Sequence, residues 1–141
     1  MLTVLEKIII LQEVELFKLL STEDLAHIAA IAEEVDYSAG SEIYHENGIP
    51  DSMYLVLDGQ VRLHQGDNEV MMANLSDAFG TWALLDDEPR VVTATAEEDS
   101  RLIRIDKDDF IDLLADNVSV TQGVMKMLVK RVRRLMALSH R

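Results

Sequence analysis

Between Asp36 and Ile105 short apolar runs alternate with turn formers, at Ala39-Gly40, Asn47-Gly48, Asp58-Gly59 and Gln65-Gly66-Asp67-Asn68. A parallel crossover needs a dozen or more residues between strands, and this spacing leaves no room for one, which excludes a parallel α/β sheet. An antiparallel barrel or sandwich is expected instead. Met53–Leu57 and Gln60–His64 around Asp58-Gly59 read as a hairpin with a two-residue turn, because Asp-Gly tolerates the positive φ that such turns need. Later strands are expected at Val70–Met72, Val91–Ala96 and Arg101–Ile105.

On either side the apolar period lengthens to three and four. Leu16, Leu19, Leu20, Leu25, Ile28, Ala29 and Ile31 mark residues 1–35 as a helical segment. Ser21-Thr22-Glu23-Asp24 resembles a capping box with Asp for Glu, with Asp24 reaching back toward Ser21, so two helices broken near residue 21 are expected. After the β region, 36–105, residues 106–141 turn helical again. Asp106 is a natural N-cap, Phe110, Leu113 and Leu114 share a face, and Asn117 ends that helix. A second helix over 118–138 carries Val118, Thr121, Met125, Leu128, Val132 and Leu135 at alternating steps of three and four. That pattern serves equally for a coiled-coil seam, joining a homodimer or another domain, and for an amphipathic helix lying on its own barrel. All three segments are read as one domain, since 141 residues bury roughly two-thirds of the surface an unfolded chain exposes.

Charge narrows the partners. The net charge is −13, yet residues 118–141 hold six basic side chains, Lys126, Lys130, Arg131, Arg133, Arg134 and Arg141, and no acidic one. The remainder carries seven basic and 26 acidic groups, a balance of −19. A body so acidic repels nucleic acid and anionic membrane, so neither is expected as a partner, and the basic tail is expected to meet an acidic surface, its own included. No apolar stretch approaches 18 residues, Glu6 and Lys7 interrupt the first helix, and cysteine is absent. These features fit a cytoplasmic chain in a reducing compartment, without membrane insertion. The apolar run Ile8–Leu11 still calls for a packing partner.

Catalytic chemistry finds no foothold. His45 and His64 fall on separate expected strands without a paired His-x-His, so no metal site is expected. A Gly-x-Ser-x-Gly elbow is missing, and the carboxylates read as a solvated surface. The chain is not expected to be an enzyme, and no cofactor is implied.

One interruption of the β pattern points to a ligand: Phe79-Gly80-Thr81-Trp82-Ala83-Leu84-Leu85-Asp86-Asp87-Glu88-Pro89-Arg90-Val91-Val92-Thr93. Gly80 permits close backbone approach, and Trp82–Leu85 can form one helical turn whose amides face an anion. Arg90 can pair with phosphate oxygens through two parallel hydrogen bonds. The plainer alternatives are a surface salt bridge for Arg90, a helix-start residue for Thr81 and a core or pocket-filling residue for Trp82.

At these residues the chain resembles the cyclic-nucleotide-binding domain family, whose phosphate-binding cassette reads approximately Phe-Gly-Glu-x-Ala-Leu-Leu, three variable residues, Pro-Arg-Ala-Ala-Thr. The frame runs from Phe79 to Thr93 without insertion, and Gly40, Gly48 and Gly59 agree in order and spacing. The resemblance implies an eight-stranded antiparallel jelly-roll barrel with N-terminal helices and two C-terminal helices. It further implies a regulatory, sensor-type role, a cyclic nucleotide such as cAMP or cGMP as ligand, Arg90 as the phosphate partner, and Gly80 and Ala83 as residues whose backbone faces it. Thr81 stands where the family has a glutamate that accepts from the ribose 2′-hydroxyl, a bond of roughly 1.5–3 kcal/mol. Trp82 and the Val91-Val92 pair are bulkier than the family pattern, and overpacking costs about 1–3 kcal/mol. Together these departures lower cyclic-nucleotide affinity by on the order of a hundredfold. The alternative is a degenerate domain of this fold that binds no nucleotide and serves as an interaction or dimerisation module. Many relatives append a DNA-reading helix-turn-helix, which is not expected here, and the chain itself is expected to be part of a larger protein.

Overall fold

The computed structural model describes residues 1–139; Arg141, counted above in the basic tail, lies outside the described residues. Residues 31–110 form one compact unit, and residues 2–30 with the chain from Ile111 onward form a second.

The first unit holds eight strands: β1 (Ala32–Tyr37), β2 (Glu42–Tyr44), β3 (Ser52–Asp58), β4 (Val61–Gln65), β5 (Asn68–Ala73), β6 (Ala78–Phe79), β7 (Thr93–Ala96) and β8 (Ser100–Asp106). They make two four-stranded antiparallel sheets in the orders β1-β8-β3-β6 and β2-β7-β4-β5, the jelly-roll arrangement expected from the sequence. Alternation along β3, β4 and β8 turns Tyr54, Val56, Val61, Leu63 and Leu102 inward to meet Phe79, Ala73 and Ala94. Full burial of side chains of this kind contributes about 1.5–3 kcal/mol each.

The expected hairpin over residues 53–64 does not form. β3 and β4 lie in different sheets, and the chain crosses between them at Asp58-Gly59-Gln60. Gly59 has φ +92°, and a Cβ there would lie 2.3 Å from Ser100 Oγ and 2.6 Å from the Asp99 carbonyl oxygen. Turn chemistry was read correctly and its destination was not, because pairing of β3 with β8 outcompetes pairing with its sequence neighbour. The true hairpin joins β4 to β5 across Gly66-Asp67, with Gln65 opposite Asn68. Two boundaries also shift. β1 starts at Ala32, inside the expected helical segment 1–35, and β7 starts at Thr93, leaving Val91 and Val92 before the strand.

In the second unit, α1 (Val4–Leu11) is closed by a capping box missed in the sequence: the Glu6 amide donates to Thr3 Oγ1 and the Thr3 amide to Glu6 Oε1. A 3₁₀ turn at Glu15–Phe17 and α2 (Thr22–Ala30) follow. Ser21 Oγ accepts from the Asp24 amide at 3.1 Å as expected. The Asp24 carboxylate, however, accepts from the Ser119 hydroxyl at 2.6 Å. α3 (Lys107–Asp116) begins at Asp106, whose Oδ1 accepts from the Asp108 amide, and α4 spans Val118–Ser139.

The buried face of α4 is Val120, Gly123, Val124 and Met127, one step round from the expected seam. Gly123 sets that choice, since a Cβ there would lie 2.4 Å from Leu20 Cδ2. Val118, Met125, Val132 and Leu135 of the expected seam are exposed. Arg131 and Arg134 both pair with Glu15, at 2.8 and 3.1 Å, so the basic tail does meet an acidic group of its own chain. Among the described residues no helix is long and apolar enough to cross a membrane.

Candidate functional site

Arg90 is the organising residue. Its amide donates to the Gly48 carbonyl and its own carbonyl accepts from the Asn47 amide, which clips the main chain beside the Asn47-Gly48 turn. The side chain then runs inward and is only 4% exposed. Nη2 donates to the Ser52 carbonyl at 2.6 Å and to Ser52 Oγ at 3.3 Å, and it faces Asp51 Oδ1 at 3.6 Å. Nη1 reaches the Gly80 carbonyl at 3.5 Å. The guanidinium carbon lies 3.9 Å over the centre of the Tyr44 ring, a cation–π contact. Buried Nε has no hydrogen-bond partner among the described residues. An unsatisfied buried donor costs about 1–3 kcal/mol, so folding leaves Arg90 one hydrogen bond short.

Gly80 makes room for this arginine. It has φ +70°, in the left-handed region that favours glycine, and a Cβ there would lie 2.7 Å from Arg90 Nη1. The turn expected at Trp82–Leu85 forms one residue earlier, as a 3₁₀ turn over Thr81–Leu84, with the Ala83 amide donating to the Gly80 carbonyl. Thr81 opens that turn and is half-buried, while Ala83 and Leu84 are buried beneath it.

The remaining expected site residues separate. Trp82 is 45% exposed and does not enter the jelly-roll core, so it neither fills the interior nor belongs to the core. Val91 is 71% exposed, and its carbonyl accepts from Gln65 Nε2. Of the bulky pair, Val92 alone packs against the core. Trp82 and Val91 thus present their side chains at the surface of the domain.

Three contributors escaped the sequence reading. Tyr44 supports Arg90 from below, and Tyr54 stacks on Phe79 with centroids 5.5 Å apart while approaching Tyr44 at 6.2 Å and Tyr37 at 6.4 Å. All three tyrosines of the chain thus gather in one aromatic cluster. Burial pushes the hydroxyls of Tyr37 and Tyr44 up to about 12, the Arg90 charge pulling Tyr44 the other way. Arg104, directly opposite Tyr54 on β8, is the third, with Nη1 at 3.4 Å from the Tyr54 hydroxyl. The concentration of tyrosine in residues 37–54 was the available signal.

Lys107 closes the rim, donating to the Asp86 carbonyl and to Asp87 Oδ1, and its hydrogen bond holds the Asp87 carboxyl below its usual range. Among the described residues no group of His, Asp or Glu is arranged to hold a metal ion.

A family model described as the cyclic nucleotide-binding domain matches residues 34–117. The chain is 36% identical over 106 residues to a cAMP-dependent protein kinase regulatory subunit of Aspergillus fumigatus, covering 74% of this chain and 26% of that protein. It is 31% identical to a cyclic AMP receptor protein of Thermus thermophilus, covering 69% of this chain and 47% of that one. The chain therefore spans less than half the length of either relative. The N-terminal domain of a transcriptional regulator from Streptomyces coelicolor superposes with a TM-score of 0.83 at 27% identity, covering 89% of this chain and 94% of that domain. With the cassette frame, the jelly-roll topology and these matches in agreement, the chain belongs to the cyclic nucleotide-binding domain family.

Proposed function

We propose that this domain is a non-enzymatic sensor module of a larger cytoplasmic protein, holding the phosphate of a cyclic nucleotide or related anion at Arg90. The observation that carries the reading is the buried Nε of Arg90, which has no partner among the described residues although Nη1 and Nη2 each donate a hydrogen bond. A phosphate oxygen supplies the missing acceptor in a charge-assisted hydrogen bond. Gly80 and Tyr44 hold the group, and Thr81 and Ala83 lie in the turn that follows Gly80. Thr81 offers a neutral hydrogen bond where the family has a carboxylate, which favours modest affinity for a ribose 2′-hydroxyl. The acidic balance of residues 1–117 argues against nucleic acid as a direct partner of this segment.

Thermal shift and calorimetry with cAMP and cGMP test the reading. Ligand at 100 times its dissociation constant adds about 2.7 kcal/mol of stability, and Arg90→Ala removes that gain. No response to either nucleotide or to inorganic phosphate at millimolar concentration would reject it.

The exposed face of α4 favours a second reading, in which the domain self-associates. Met125, Val129, Val132, Leu135 and Met136 are each more than half exposed along one helix, and apolar surface of this extent marks interaction sites. Sedimentation across a concentration series should reveal a dimer, and Val132→Asp with Leu135→Asp should abolish it. A monomer at every concentration would remove this reading.

A further inference from the structure

The turn that follows Gly80 and the guanidinium of Arg90 are the two halves of the anion site, and different ties fix them. Arg90 is seated on β3, with Nη2 donating to the Ser52 carbonyl at 2.6 Å, and its main chain is clipped to Asn47 and Gly48. The turn over Thr81–Leu84 runs on through the Asp86 amide, which donates to the Trp82 carbonyl at 3.1 Å, into four residues, 86–89, that are all exposed. Within that segment the Glu88 amide donates to Asp86 Oδ1 at 3.3 Å, a purely local bond. From outside the cassette, Lys107 alone among the described residues holds it, donating to the Asp86 carbonyl and to Asp87 Oδ1 at 2.7 Å.

Lys107 is the fixed end of this tie. Its side chain is 14% exposed against 99% for Asp87, so the loop comes to the lysine and not the reverse. The Lys107 amide donates to the Asp51 carbonyl at 2.8 Å, one residue before the carbonyl that seats Arg90. Lys107 and Arg90 therefore rest on consecutive main-chain carbonyls, and the exposed segment 86–89 bridges them. We infer that Lys107 is a positioning residue for the anion site: its grip on Asp86 and Asp87 sets the turn against Arg90, and a ligand at Arg90 binds more weakly when that grip is lost. Both bonds of its ammonium group go to the loop. The inference rests on the reading of Arg90 given above and adds a residue that acts on that site from the first turn of α3. Charge and position make opposite predictions at Asp87. By charge alone, removing a carboxylate from the rim of an anion site strengthens binding. If Asp87 is instead the point by which Lys107 holds the loop, its removal weakens binding.

Titration calorimetry of the whole chain with cyclic AMP, beside the melting temperature of the nucleotide-free chain, decides it. Lys107→Met keeps the apolar stem and removes the donors, and should raise the dissociation constant about fivefold, the upper range for a surface ion pair, at a nearly unchanged melting temperature. Lys107→Arg, which keeps charge and donors, should recover most of that loss. Asp87→Ala, at a fully exposed position that folding does not depend on, should raise the dissociation constant about twofold, because the Asp86 carbonyl still holds the lysine. Unchanged affinity in Lys107→Met, or binding by Asp87→Ala as tight as the parent's or tighter, with Arg90→Ala still abolishing binding, would overturn the positioning role and leave the Arg90 reading in place. Absence of binding by cyclic AMP, cyclic GMP and inorganic phosphate to the parent chain, or binding indifferent to Arg90→Ala, would overturn both.

Discussion

Two glycines in the two units accept an intruding side chain, and they do so to opposite ends. At Gly123 the visitor is a Leu20 methyl, which would lie 2.4 Å from a Cβ, and the contact is apolar and complete. At Gly80 the visitor is the Arg90 guanidinium, 2.7 Å from a Cβ position, and it arrives with one donor unspent. Close packing at the first site ends in stability alone. At the second it holds a charged group rigid with bonding capacity to spare, and that surplus separates a binding site from a core.

The largest expected effect breaks the apolar member of the pair. Gly123→Leu should destabilise by about 1–3 kcal/mol in urea unfolding, as overpacked cores do, and Leu20→Ala in the same chain should recover part of the loss. Additive losses in the double variant would show that the two residues are not coupled. Gly80→Ala should cost about 1–2 kcal/mol from its left-handed backbone, and should weaken nucleotide binding more than it weakens the fold. An unchanged dissociation constant would show that Arg90 needs no such room.

Alkaline titration sharpens the contrast further. Tyr37 and Tyr44 ionise near 12 in the folded chain against about 10 when unfolded. The unfolded state therefore releases these protons first. Stability from this source is complete below pH 10 and falls as pH rises from 10 to 12. Phenolate absorbance followed beside a denaturation series should show the two moving together. The smallest effect belongs to the surface of the second unit. Glu15→Gln removes the negative charge shared by Arg131 and Arg134 and should cost about 0.2–1 kcal/mol, less in high salt.

The jelly roll was legible because its evidence is local: turn formers at short intervals and an uninterrupted cassette from Phe79 to Thr93. The pairing of those strands was not. Asp58-Gly59 has the same turn chemistry whether the chain doubles back or crosses to another sheet, and only the approach of Ser100, about forty residues on, decides between them. The same limit applied at the site. Arg90 was found from its motif, but its anchors Ser52 and Tyr44 lie on strands distant in sequence, and Asp51 and Arg104 meet only in space. On α4 two apolar stripes compete, and periodicity cannot say which is buried until Gly123 meets Leu20.

The main-chain clip at Arg90, in which Gly48 accepts its amide and Asn47 donates to its carbonyl, bears on the thermodynamics of recognition. A free arginine side chain carries about 2 kcal/mol of rotamer entropy, which a ligand must normally suppress on binding. Here folding has already suppressed it, so an arriving anion meets a group with a single available pose. Association at Arg90 should consequently show a small entropic penalty for the protein.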